Sequence, residues 1–225
     1  ILPQLSKYIE NNQKDEILLI QNKAIELCLF LSIPAAIALF ISSEQIVSAL
    51  FGYGSFDEIG VKNSAKALFY FSLGLPAFSL IKVFSSFFFA RHNTKIPFYI
   101  SLISVMMNIF ISVYYFKSVG FIIIPIATTI SSWFNCFVLF VYLKKNDLFR
   151  FNLLFFNRFF RIVVASVIMG LFFNYLMIFF DNQLAYGQNF KSVYLVGIVL
   201  LGLIFYLLIA FIIKAFKISD IKLKY

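Results

Sequence analysis

The sequence predicts an all-α integral membrane fold with six transmembrane helices, and three observations carry that reading. The chain has 225 residues, of which 62% are hydrophobic and 13% charged, and it contains 32 phenylalanines. A soluble domain of this size cannot hide so much apolar surface, so lipid is the solvent for most of it. Six apolar runs approach the length of about 20 residues that a bilayer crossing needs. The lysines and arginines, which bring the net charge to +9, lie between these runs and not on one face or in one tail. That distribution argues against a nucleic-acid partner.

Residues 1–23 are mixed. Leu2, Leu5 and Ile9 read as the cytoplasmic end of a preceding span, with Pro3 marking its end. The polar stretch 10–16 must lie in water, and residues 17–20 lead along an interfacial helix into the membrane. Four spans fill residues 24–143. The first covers 24–41, with Pro34 in its middle, where a missing N–H predicts a kink. Glu26 marks its entry and Glu44 its exit. Residues 45–51 are too short to cross and read as a strip along the surface, and Gly52-Tyr53-Gly54-Ser55 reads as a turn. The second span covers 64–88 and contains Gly74 and Pro76. The third covers 97–116, residues 117–120 make a hairpin loop, and the fourth covers 121–143. Residues 144–161, KKNDLFRFNLLFFNRFFR, form a basic connector whose phenylalanines and arginines suit a surface helix at an anionic leaflet. Two more spans occupy residues 162–213, at 162–180 and 192–213, around a polar loop at 181–191. Residues 214–225 are a basic tail.

Orientation follows from charge. Setting Lys82 aside, Lys62, Lys66, Lys117 and Lys191 fall on one side and all the other lysines and arginines on the opposite side. Positive charge is retained in the cytoplasm, so both ends of the chain are expected there, as an even number of spans requires. The chain begins with Ile1 and carries no basic n-region of a signal peptide, and it reads as an interior or C-terminal piece of a longer protein.

Few residues offer chemistry. Cys28 and Cys136 lie inside apolar runs without metal-ligand spacing, and His92 is the single histidine. Neither a catalytic constellation nor a metal cluster can be built from them. Lys82 is the one ionisable residue well inside a span. It stands about six residues, or roughly 9 Å, from the cytoplasmic end of its helix. Two readings stand for it: a stem that snorkels to the interface, or a charge that faces a substrate cavity. The third span carries Ser101, Ser104, Asn108 and Ser112 on one helical face, and the fourth carries Thr128, Ser132 and Asn135. Facing polar stripes have two explanations as well. They pack helices through hydrogen bonds, or their oxygens hold a hard cation.

Three segments carry a family resemblance. Residues 50–56 read LFGYGSF, residues 74–77 read GLPA and residues 88–97 read FFARHNTKIP. They resemble the MurJ (MviN) lipid II flippases, which typically spell these segments LFGRGAF, GLPA and FYARGDTRTP at similar separations. The resemblance covers residues 1–143; beyond them hydropathy and length match. It implies membership of the superfamily that also holds MATE drug exporters and polysaccharide flippases. Such proteins have about fourteen spans, in two six-helix lobes related by pseudo-symmetry plus two C-terminal helices. This chain would hold spans nine to fourteen, and its partner would be the N-terminal lobe of the same protein. The implied substrate is lipid II, the undecaprenyl-pyrophosphate-linked peptidoglycan precursor. It is flipped across the bacterial inner membrane by alternating access for cell wall synthesis, with the last two helices forming a groove for the isoprenoid tail. Some relatives bind sodium through an asparagine and an acid one turn apart on span eleven and a threonine on span twelve. Asn108, Ser112 and Thr128 match those positions, with serine in place of the acid, and together make a candidate sodium site.

Other readings remain open on the sequence. A flippase for another polyprenyl-linked glycan, such as an O-antigen or teichoic precursor, would share this superfamily, and so would a non-transporting scaffold. A membrane enzyme acting on prenyl phosphates would need aspartate- or histidine-rich loops.

The charge asymmetry predicts a labelling pattern. In intact cells, with Cys28 and Cys136 removed, a membrane-impermeant thiol reagent should reach single cysteines placed at residues 61–63 or 183–188. It should not reach one at Asn93 or Asp147. Labelling at Asn93 would overturn the topology.

Overall fold

The computed structural model describes residues 2–54 and 56–215 and is built of helices, with no strand among the described residues. In chain order these are α1 (Leu2–Glu10), α2 (Lys14–Phe51), α3 (Glu58–Phe89), α4 (Lys95–Val119), α5 (Ile123–Lys145), α6 (Leu153–Phe179), α7 (Asp181–Leu184) and α8 (Lys191–Ile212). Five stretches are long and apolar enough to cross a bilayer, and the longest is Lys95–Lys145, with 51 residues. It contains two helices. Gly120, at φ 77°, ends α4, a 3-10 turn over Gly120–Ile122 follows, and α5 packs back along α4. The described residues thus offer five such stretches, against the six runs read from the sequence, because this hairpin counts as one. Of the basic tail, Lys217, Lys222 and Lys224 lie outside the described residues, as does Ser55 of the expected turn.

Several element boundaries differ from the sequence reading, each for a local reason. Helix α2 contains Pro34, but the break in its helical dihedrals falls at Ser42, with φ −116° and ψ 23°. The Ser42 hydroxyl donates to Ala38 O at 2.6 Å, and back-bonding of this kind bends helices. Residues 45–51, read as a separate surface strip, continue α2 past that break. Residues 61–63, expected in a loop, lie in α3, and Val61 is buried beside Val47 and Ala65. The early start of α3 has a cap: the Asp57 carboxylate accepts from Gly60 N–H at 2.8 Å. The surface helix expected over 144–161 is absent as a unit. Lys144 and Lys145 finish α5, residues 146–152 form an open connector, and residues 153–161 are the first turns of α6.

The chain divides into two compact units. One holds the described residues up to Ser32 together with Gly74–Phe159, and the other holds Ile33–Leu73 with the described residues from Phe160 to Ala215. The borders within α2 and α3 fall beside Pro34 and Pro76.

The first unit has an aromatic core. Phe87 and Phe88 of α3 and Phe149 of the connector are almost fully buried. The Phe87 and Phe149 rings stack with centroids 6.1 Å apart, Phe84 and Phe140 lie 6.1 Å apart, and Phe149 meets Phe151 edge-on at 4.8 Å. Ring pairs at such distances contribute about 0.5–1.5 kcal/mol each beyond their burial. The connector is therefore held by its own phenylalanines as well as by hydrogen bonds.

In the second unit, helices approach closely at small residues. Gly202 of α8 lies against Phe173 of α6, where an added Cβ would come within 2.9 Å of the ring. Gly170 of α6 lies against Ile37 of α2, where an added Cβ would meet Cγ2 at 2.6 Å. Without a hydrophobic force between helices in lipid, contacts of this kind hold them together.

Candidate functional site

Lys82 stands on α3, six residues beyond Pro76, with its side chain exposed. It makes no ion pair or hydrogen bond among the described residues. One turn further along α3, Ser85 begins a shallow cleft of about 570 Å³ that passes Phe89 and reaches Lys95 and Tyr99 at the start of α4. Lysine, hydroxyls and aromatic rings give that cleft a mixed character, able to face an anion and an apolar chain together.

The two polar stripes meet in the α4–α5 hairpin. The Asn108 amide donates to the Thr128 hydroxyl at 2.9 Å and to the Ser131 hydroxyl at 3.3 Å. Asn135, buried on α5, donates to the Ser101 hydroxyl at 3.4 Å. Both hydroxyls that face Asn108 also donate back along α5, Thr128 to Ile124 O and Ser131 to Ala127 O, each at 2.8 Å. The structure brings Asn108 and Thr128, one from each stripe, into contact. Ser112 joins neither of them: its hydroxyl oxygen is buried without a hydrogen-bond partner. This donor set fits a bare cation poorly. It offers neutral oxygens, the amide presents its nitrogen, and no carboxylate is among the three residues. Among the described residues, no cluster of three His, Cys, Asp or Glu side chains exists to hold a metal.

Three further polar groupings lie outside these candidates. The first surrounds the connector. Arg91 donates to Phe87 O at 2.7 Å and to Leu148 O at 3.1 Å. Gln21, fully buried on α2, donates to the same Leu148 O at 3.2 Å. Asn22 donates to Arg150 O at 3.0 Å and accepts from Asn152 N–H at 3.2 Å. Burial pushes the Arg91 guanidinium below its ordinary value, but that value is high enough to keep it a cation. The second is an ion pair of Arg158 with Glu26 at 2.8 Å, both largely shielded from solvent. The third surrounds Lys191. The sequence places Lys191 in a polar loop, but it is the first residue of α8 and fully buried.

The FFARHNTKIP segment makes the turn between α3 and α4. Asn93 N–H reaches back to Phe88 O at 3.1 Å, with His92 at φ 55°, so α3 closes in a Schellman turn. His92 stands where the resembling motif has glycine, which takes this left-handed backbone without steric cost.

Comparison with known proteins agrees with this architecture. The family model described as "Lipid II flippase MurJ" matches residues 1–195. A probable lipid II flippase MurJ of Rhizobium meliloti (strain 1021) is 35% identical over 170 residues, covering 76% of this chain and 32% of the relative. Its counterpart in Buchnera aphidicola subsp. Schizaphis graminum is 32% identical over 187 residues, covering 81% of this chain and 35% of that protein. A solved structure titled "Lipid II flippase MurJ, inward closed conformation" matches with a TM-score of 0.74 at 24% identity, over 94% of this chain and 42% of that one, and supports the fold. The chain spans about a third of the length of the curated relatives it matches. On the family match over residues 1–195, the chain belongs to the lipid II flippase MurJ family.

Proposed function

We propose that this chain is the C-terminal part of a lipid II flippase of the bacterial inner membrane, completed by an N-terminal lobe of the same protein. The family match over residues 1–195 carries this reading. In it, the protein moves the polyprenyl-pyrophosphate-linked peptidoglycan precursor by alternating access, and its chemistry is binding and release without bond cleavage. The charge asymmetry supports cytoplasmic placement of both ends of the chain.

Lys82 lines the substrate cavity in this reading. An ammonium inside an apolar helix is costly unless it faces water or an anion, and a pyrophosphate head group supplies the anion. The exposure of Lys82 and the amphiphilic cleft beginning at Ser85 support that placement. With the full-length protein as the sole flippase in a cell, Lys82→Ala should cut growth and flipping while Lys82→Arg retains part of both. Wild-type growth of both variants would refute the cavity role.

The polar seam between α4 and α5 acts mainly as a helix–helix contact, at roughly 1 kcal/mol per bond or less. Without a carboxylate it lacks the strongest attraction for a bare cation in a low-dielectric site. Asn108→Ala should lower the unfolding temperature in detergent equally with and without sodium. Ser112→Asp should introduce sodium-dependent stabilisation. Strong sodium-specific stabilisation of the unmodified protein, lost in Thr128→Ala, would overturn this reading.

A further inference from the structure

Lys191 has no carboxylate ion-pair partner among the described residues, yet it is completely buried. A buried charge is costly unless its surroundings replace water, so the surroundings are informative. Its Nζ donates to Gly52 O at 2.7 Å and to the Ser48 hydroxyl at 3.4 Å. It lies 4.3 Å from the ring centroid of Tyr53 and 5.0 Å from that of Tyr186. Both distances are within reach of a cation–π interaction. Ser48 belongs to the last turns of α2, and Gly52 follows its final residue, so the cation also meets the negative end of a helix dipole. A carbonyl, a hydroxyl, two ring faces and a helix C-terminus form a complete receptor for a primary ammonium.

The neighbouring residues fit the same purpose. An added Cβ at Gly52 would lie 2.6 Å from Ser48 O and 3.1 Å from Lys191 Nζ, so the glycine leaves room for the cation. Gly54, at φ 62°, turns the chain beyond Tyr53. Ser192 donates to Ala49 O at 2.5 Å and shares a 2.7 Å hydrogen bond with the Tyr53 hydroxyl. The Tyr186 hydroxyl donates to Phe56 O at 2.9 Å, which fixes the second ring.

We propose that the end of α2 with Tyr53 and Tyr186 is a binding site for a primary ammonium group, occupied by Lys191 as a tethered internal ligand that clasps the start of α8 to the end of α2. A free alkylammonium would take the same seat once the lysine is cut back. This inference does not depend on the substrate of the protein.

The test uses the full-length protein in detergent and reads thermal unfolding. Lys191→Ala and Lys191→Met should both unfold several degrees below the parent. n-Propylammonium, which replaces the deleted atoms, should raise the Lys191→Ala transition in a saturable manner and leave the parent unchanged. 1-Propanol, similar in shape but neutral, should restore much less. Lys191→Met as stable as the parent, or equal rescue by propanol, would overturn the proposal by showing that volume and not charge fills the site. Should the lysine variants fail to fold, the ring is tested separately. Tyr186→Phe and Tyr186→Leu both lose the hydroxyl, but only leucine loses the aromatic face. Leucine should be the less stable of the two, and equal stabilities would overturn the proposal.

Discussion

Main-chain carbonyls that have left a helix need donors, and where packing shields them from water only the protein can supply them. Several long-range hydrogen bonds among the described residues answer that need. Gln21 and Arg91 donate to Leu148 O, Asn22 to Arg150 O, Arg161 to Lys214 O, Ser192 to Ala49 O and Lys191 to Gly52 O. Each acceptor lies at or beyond a helix end, or in its final turn. The helices satisfy their own interiors, and a few side chains donate to carbonyls at their ends.

The connector 146–152 concentrates such contacts. Two donors converge on Leu148 O, and Asn22 both gives and receives, so the amide of α2 mimics a short piece of strand pairing. Between those contacts Phe149 is buried against Phe87. An arginine suits the task because its planar fork reaches two carbonyls at once, Phe87 O at the end of α3 and Leu148 O in the connector. The turn holding Arg91 thus has a structural role within its own unit, apart from any contact with substrate.

Much of the fold was legible because lipid imposes a simple pattern. Apolar runs of sufficient length marked the long helices, and the three-and-four spacing of Asn108 and Thr128 on their respective helices marked the faces that meet. The polar seam is therefore legible in the sequence. The anchoring contacts were not, because a carbonyl acceptor leaves no trace in the sequence: every residue carries one. Gln21-Asn22, two amides directly following the run Ile17–Ile20, and Lys191, directly before the apolar run of α8, were the available signals. Hydropathy reads such residues as boundary markers. Their burial depends on which distant carbonyls the fold brings to them. The kink at Ser42 escaped for a similar reason, since proline advertises a bend more loudly than a serine hydroxyl does.

The central claim is that side-chain donors onto main-chain carbonyls hold the connector in place. Hydrogen–deuterium exchange of the full-length protein, parent against Arg91→Ala, tests it most directly. Exchange in peptides covering residues 146–152 should accelerate markedly, while peptides from the α4–α5 hairpin keep their protection. Unchanged exchange in the connector, or a uniform rise across all helices, would contradict the account.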